Sequence, residues 1–271
     1  MQIARQVIFA VLVAGLVACS WLAPLDSTAT QQADAGLKRA LLSFATARAL
    51  NAAISVAQGT EIAVQPGGMG VVLSPGQVLD PVNDLVEQFS NVMLAASVAF
   101  GVQKMLISMA GYWLISLLIS GAALCWAWFH FHQQVLPAWL ARTLVVLLML
   151  RFAVPAVTIG SDLLFEKFLV GDYDASQQVI SAAPAQVARL DAPPQPLPAG
   201  EQGLLDRIKG WWGQDLEVKA RFDALQQAAE QATEHIITLI VVFLLQTVVI
   251  PLLLLSGLYG LARAVFAVSR R

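Results

Sequence analysis

Every carboxylate of this chain falls within residues 26–87 or 162–234. The first window holds six (Asp26, Asp34, Glu61, Asp80, Asp84, Glu87), and the second holds the other twelve of the 18. Residues 1–25, 88–161 and 235–271 carry none and are the most apolar part of the sequence. An ionised carboxylate is costly to take out of water, so this partition marks where water lies and where lipid lies. Composition agrees: 58% of residues are hydrophobic and 13% charged, with a mean hydropathy of +0.69. Ordinary soluble domains carry roughly 25% charged residues. The expected fold class is therefore mainly α, a polytopic helical membrane protein with about four transmembrane helices, a periplasmic helical stalk and one short β-hairpin.

A bilayer-spanning helix needs about 20 predominantly apolar residues. Four stretches qualify, about 7–25, 108–131, 137–159 and 236–262. The second and third form a hairpin, because residues 130–136 make too short a loop to leave the membrane surface. The five domains are then 1–25 (anchor), 26–107 (helix, hairpin, helix), 108–159 (transmembrane hairpin), 160–235 (amphipathic helix, Pro-rich linker, long heptad helix) and 236–271 (last span and basic tail). Arg5, Arg142, Arg263, Arg270 and Arg271 flank short ends on one side, and basic residues mark the cytoplasmic face. For a bacterial inner membrane this places both termini in the cytoplasm and both acidic windows in the periplasm. Leu16-Val17-Ala18-Cys19 supports a competing reading of the first span, a lipoprotein signal with Cys19 lipidated after cleavage.

The soluble windows are expected to be mostly helical. An Ala-rich helix over about 31–58 carries an i,i+4 pair, Asp34–Lys38, and stacks Leu37 on Leu41. Residues 60–65 alternate, Pro66-Gly67-Gly68-Met69-Gly70 reads as a turn, and Val71-Val72-Leu73 resumes, the pattern of a hairpin. The glycines lack the lysine and Ser/Thr of a phosphate-cradling loop. Asp80 and Pro81 suit a helix start. From there Val82, Leu85, Phe89, Val92, Ala96, Ala99, Gln103 and Leu106 keep heptad spacing into the second span, with breaks expected near Gly101 or Gly111. In the second window, residues 163–170 read as a surface amphipathic segment. Pro184, Pro193, Pro194, Pro196 and Pro198 read as an extended linker. A second heptad seam then runs through Leu204, Ile208, Trp211, Asp215, Val218, Phe222, Leu225, Ala229, Ala232 and Ile236.

Among residues that could carry chemistry, Arg151 stands out inside the third span, where an ionisable group suggests a functional site. With no carboxylate in any span, the plainer reading is that it snorkels to the headgroups or pairs with carbonyls. Lys104 and Gln246 interrupt two other helices, and Gln246 suits a bond to a neighbouring helix. His130 and His132 point about 200° apart on a helix and cannot share a metal. Cys19 and Cys125 offer no disulfide framework or zinc cluster. Trp113, Trp126, Trp128 and Trp139 fall near span ends as an aromatic belt would, while Trp211-Trp212 suits an interfacial dip or a partner contact. Ser116/Ser120 and Ser256/Gly260 are small-xxx-small pairs suited to close helix contact. There is no H-E-x-x-H, G-x-S-x-G, Walker A or dinucleotide fingerprint.

The sequence thus supports a non-enzymatic inner-membrane protein without cofactor or metal. It would act as a structural or assembly subunit of a cell-envelope complex. Its expected partners are the lipid bilayer and either its own copies or other envelope membrane proteins; no basic face invites nucleic acid. The contact residues would be Phe89, Val92, Trp211, Trp212, Val218, Phe222 and Leu225. The alternative is a channel or transporter subunit with Arg151, Lys104 and Gln246 near a polar path.

Overall fold

The computed structural model describes residues 2–58, 62–64, 71–73, 76–132, 138–191 and 204–268; for 2–10, 204–222 and 262–268, among others, only the backbone is described. These residues are helical almost throughout: α1 (Gln2–Leu22), α2 (Pro24–Gln58), α3 (Gly76–Ala110), α4 (Trp113–Phe131), α5 (Ala138–Phe168), α6 (Val170–Asp191), α7 (Leu204–Leu244), a π-helical turn Leu245–Val249, and α8 (Ile250–Val268). Of the expected hairpin, the described residues hold only two three-residue strands, β1 (Ile62–Val64) and β2 (Val71–Leu73). They pair antiparallel with Ile62 opposite Leu73. The turn at 65–70 lies outside the described residues, and a ladder this short does not make an independently stable element.

Three helices are long and apolar enough to cross a membrane, at Asp80–Ala110, Arg142–Phe168 and Gln226–Leu261; Val13–Leu22 and Trp113–Phe129 are shorter apolar helices. Where about four spans were expected, the described residues thus hold three helices of spanning length and two shorter apolar ones. The expected second span begins within α3, which stops at Ala110, and α4 restarts at Trp113. Gly111 is the break, one of the two positions the sequence offered.

The chain divides into two compact units. The first comprises Met1–Arg39, Ala96–Leu169 and Leu244–Arg271, the second Ala40–Ala95 and Val170–Phe243. In the first, α2 buries a stripe of small residues, Ala29, Ala33 and Gly36. Any β-carbon at Gly36 would overlap the Phe100 ring from α3, so glycine is what lets these two helices approach. In the second unit the stripe continues as Ala40, Ser43, Ala47, Leu50 and Ile54. There the core is completed by Val82, Val86, Phe89 and Met93 of α3, Ile180 and Val187 of α6, and Ile236, Leu239 and Phe243 of α7. Polar bonds stitch the second unit as well. The Ser43 hydroxyl donates to Gln177 Oε1 at 2.8 Å, and Gln177 Nε2 donates to Thr46 at 3.1 Å.

Several expectations are corrected here. The buried face of α2 is the small-residue stripe, not Leu37 with Leu41, and Leu41 is exposed. Apolar helices can pack through alanine and glycine because dispersion rewards close backbone approach. On α3 the seam is Val82, Val86, Phe89, Met93, Ala96 and Phe100. Every second position is therefore one residue later than Leu85, Val92 and Ala99, since a stripe can take either neighbour of a three-four pattern. Helix α3 starts at Gly76, so Asp80 and Pro81 lie inside it and Asp80 accepts from Gln58 Nε2 at 2.8 Å. Residues 163–168 finish α5 rather than forming a separate segment, with Phe165 buried and Leu163 and Phe168 exposed. Pro184 sits inside α6 rather than in a linker.

Replacing Gly36 with valine is expected to destabilise the chain by about 1–3 kcal/mol, the usual cost of overpacking. Most of that should return in Gly36→Val/Phe100→Leu, measured as the midpoint of detergent-solubilised thermal unfolding.

Candidate functional site: a buried ion pair where two helix breaks meet

Helix α1 ends at Leu22, and Ala23 turns the chain with φ 47°, a left-handed conformation that costs a non-glycine residue roughly 1 kcal/mol. Its amide donates to Cys19 O at 3.0 Å, and Pro24 opens α2, where a missing N–H costs nothing. This abrupt restart puts Asp26 in the first turn of α2, where the helix dipole favours an anion.

Arg151 of α5 meets it. Its Nη1 donates to Asp26 Oδ1 at 2.8 Å and its Nη2 to Oδ2 at 2.9 Å, a bidentate fork. Nη2 also lies 3.3 Å from Ser20 O, one of the last carbonyls of α1, which lack helical donors. The Arg151 side chain is 1% exposed. Helix α3 breaks at the same place: a β-carbon at Gly111 would stand 2.8 Å from Asp26 Oδ2. Hydroxyls then tie α1 to α4. Ser20 and Ser116 lie 2.9 Å apart through their Oγ atoms, Ser116 also reaches Ser20 O at 3.0 Å, and Trp21 Nε1 donates to Ser120 at 2.9 Å.

Two further ion pairs lie along the same stretch of α2. Lys104 of α3 donates to Asp34 at 2.8 Å, and Arg39 donates to Asp162 of α5 at 2.8 Å while its guanidinium stacks 4.1 Å over Phe165. Their spacing is self-consistent. Thirteen residues separate Asp26 from Arg39 and eleven separate Arg151 from Asp162, so both helices climb about 16–20 Å between the two pairs at 1.5 Å per residue.

Of the plainer reading of Arg151, snorkelling is therefore overturned, while pairing with a carbonyl holds at Ser20 O. The carboxylate partner of Arg151 is the first acid after α1, which the count by spans excluded. The expected Asp34–Lys38 pair gives way to Asp34–Lys104, and Lys38 is exposed. Gln246 is buried in the π-helical turn. Its backbone carbonyl accepts from Ser161 at 3.0 Å, and its Oε1 meets no donor among the described residues. Arg151, Lys104 and Gln246 thus sit in three separate contacts rather than along one shared lining.

Of the expected contact residues, Phe89 is wholly buried in the second unit and Val92 half-buried. Trp211, Trp212, Val218, Phe222 and Leu225 carry side chains outside the described residues. The Ser116/Ser120 pair works by hydrogen bonding, while Ser256 and Gly260 are exposed. Trp113, Trp128 and Trp139 are exposed near helix ends as a belt requires, but Trp126 is buried. His132 packs its ring 4.5 Å from Trp128, and His235 Nδ1 lies 3.1 Å from the Ser176 hydroxyl. Cys19 and Cys125 are free thiols. Among the described residues no three His, Cys, Asp or Glu side chains gather as metal ligands would.

No family model, no curated protein and no solved structure matches the chain.

Removing one partner of a buried ion pair costs about 3–5 kcal/mol, whereas replacing both is often close to neutral. Arg151→Gln or Asp26→Asn alone should therefore sharply reduce the chain's accumulation in membranes and its thermal midpoint. The double variant should recover most of both, read by immunoblot and by unfolding in mild detergent.

Proposed function

We propose that this chain is a non-enzymatic, multi-pass protein of a bacterial inner membrane, with both termini cytoplasmic. On this reading it serves as a structural or assembly subunit of a cell-envelope complex through periplasmic helices. The observation that carries the reading is the bidentate Asp26–Arg151 pair. The residue best suited to line a path is spent on fixing α1, α2 and α5 to one another, and Lys104 is likewise paired with Asp34. Exposed charges on the acidic windows, and arginines flanking the acid-free ends, support the sidedness. The stalk and its hairpin belong to this proposal too, as the parts of residues 26–107 and 160–235 that meet a partner.

Gln246 favours the second reading, a channel or transporter subunit. Its buried amide oxygen meets no donor among the described residues, and it sits in a π-helical turn, a feature frequent at functional sites. Gln246→Leu separates the two. Under the assembly reading the variant accumulates and supports the host phenotype as the parent does; under the transport reading it accumulates but loses the phenotype.

Affinity purification of the tagged chain from membranes in mild detergent should give a species several times its 29.0 kDa mass on native gels. A strictly monomeric chain without companions contradicts the assembly role.

A further inference from the structure

Pro251 has no N–H to give, and just before it the helix runs as the π-helical turn Leu245–Val249, in which the Ile250 amide donates to Leu245 O. The Gln246 carbonyl thereby loses both of its helical donors. Ile250, four residues on, is spent on Leu245, and Pro251, five residues on, has none. Ser161 of α5 replaces them, its hydroxyl donating to Gln246 O at 3.0 Å. This bond holds Gln246 against α5, with the residue only 2% exposed.

Two buried side-chain atoms around this contact meet no partner among the described residues: Gln246 Oε1, an acceptor, and Arg39 Nε, a donor. Consecutive residues of α5 bring them toward each other. Ser161 holds Gln246, and Asp162 takes Nη2 of Arg39 at 2.8 Å. Both α5 residues are buried, and so is Phe165, which lies 4.1 Å beneath the Arg39 guanidinium. At about 100° per residue, Phe165 falls between Ser161 and Asp162 around the helix axis. The Ser161 proton is spent on Gln246 O, so toward any further group its oxygen is an acceptor.

A buried polar atom left unpaired costs its full desolvation, and nearly all such atoms bond to protein or to ordered water. One orphaned donor and one orphaned acceptor call for a group that both gives and takes a hydrogen bond. A cation is repelled by Arg39, whose charge already matches Asp162. An anion is repelled by the amide oxygen. Water fits: it donates to Gln246 Oε1 and to Ser161 Oγ and accepts from Arg39 Nε, the three partners that a buried water ordinarily has. We infer that Arg39, Ser161 and Gln246 hold an internal water between α2, α5 and the π-helical turn. Two of these three elements belong to helices long and apolar enough to cross a membrane, and hydrocarbon offers a polar group no other water. The site rests on neither functional reading above.

Pulsed X-ray radiolysis of the full chain in mild detergent tests it, because radicals formed from a held water oxidise the buried side chain beside it. Phe165 and Phe100 are 1% and 4% exposed, and Phe100 lies in the close α2–α3 contact at Gly36. Read by mass spectrometry, Phe165 should oxidise several times faster than Phe100. Gln246→Met removes the acceptor at nearly constant volume and should bring Phe165 down to the Phe100 rate. Equal rates in the parent chain overturn the inference, as does a fast Phe165 rate that Gln246→Met leaves unchanged. Thermal unfolding gives an independent sign. Gln246→Met lowers the midpoint where the oxygen holds water, and a raised midpoint, the mark of a dry unpaired oxygen, overturns the site.

Discussion

The pairing of Arg151 with Asp26 sets the terms for the rest of the first unit. A guanidinium this deeply buried is tolerable only when its charge is matched and its donors are used, and the fork to both carboxylate oxygens does most of that. The match constrains three chain segments at once. Helix α1 must stop so that Ser20 can offer a carbonyl, α2 must restart within three residues to present Asp26, and α3 must end in a glycine so that nothing crowds Oδ2. The left-handed Ala23 is the local strain that this geometry imposes. Once the level is fixed, the pairs Lys104–Asp34 and Arg39–Asp162 follow in register.

Length and apolarity alone do not mark where the chain meets lipid. They pick out Asp80–Ala110 as a candidate span and leave α4 as a shorter apolar helix. Exposed charge stands beside both, Lys104 on α3 and Arg142 on α5, which packs along α4.

Much of the helical architecture was legible. The acid-free segments, the break at Gly111 and the buried register of Ala229, Ala232 and Ile236 all follow from composition and spacing. Four features were not, each for a physical reason. Pairing depends on depth, and Asp26 stands at the edge of its window, one turn past the apolar segment it follows. The packing stripe of α2 is built of alanine, glycine and serine, which a search for large apolar residues passes over. A three-four pattern leaves the second seam position undetermined by one residue. Prolines such as Pro184 read as linker locally but are tolerated inside a helix. Of the candidate site, Arg151 was legible as unusual, while its partner was excluded by counting only carboxylates inside spans.

The claim on which the account depends is that Asp26 and Arg151 act as one charge-matched pair that fixes α1, α2 and α5. A double-mutant cycle on Asp26→Leu and Arg151→Met, read as unfolding free energy in mild detergent, measures it most directly. The account requires the two losses to be non-additive, with a coupling of about 1–3 kcal/mol. Losses that simply add would contradict it.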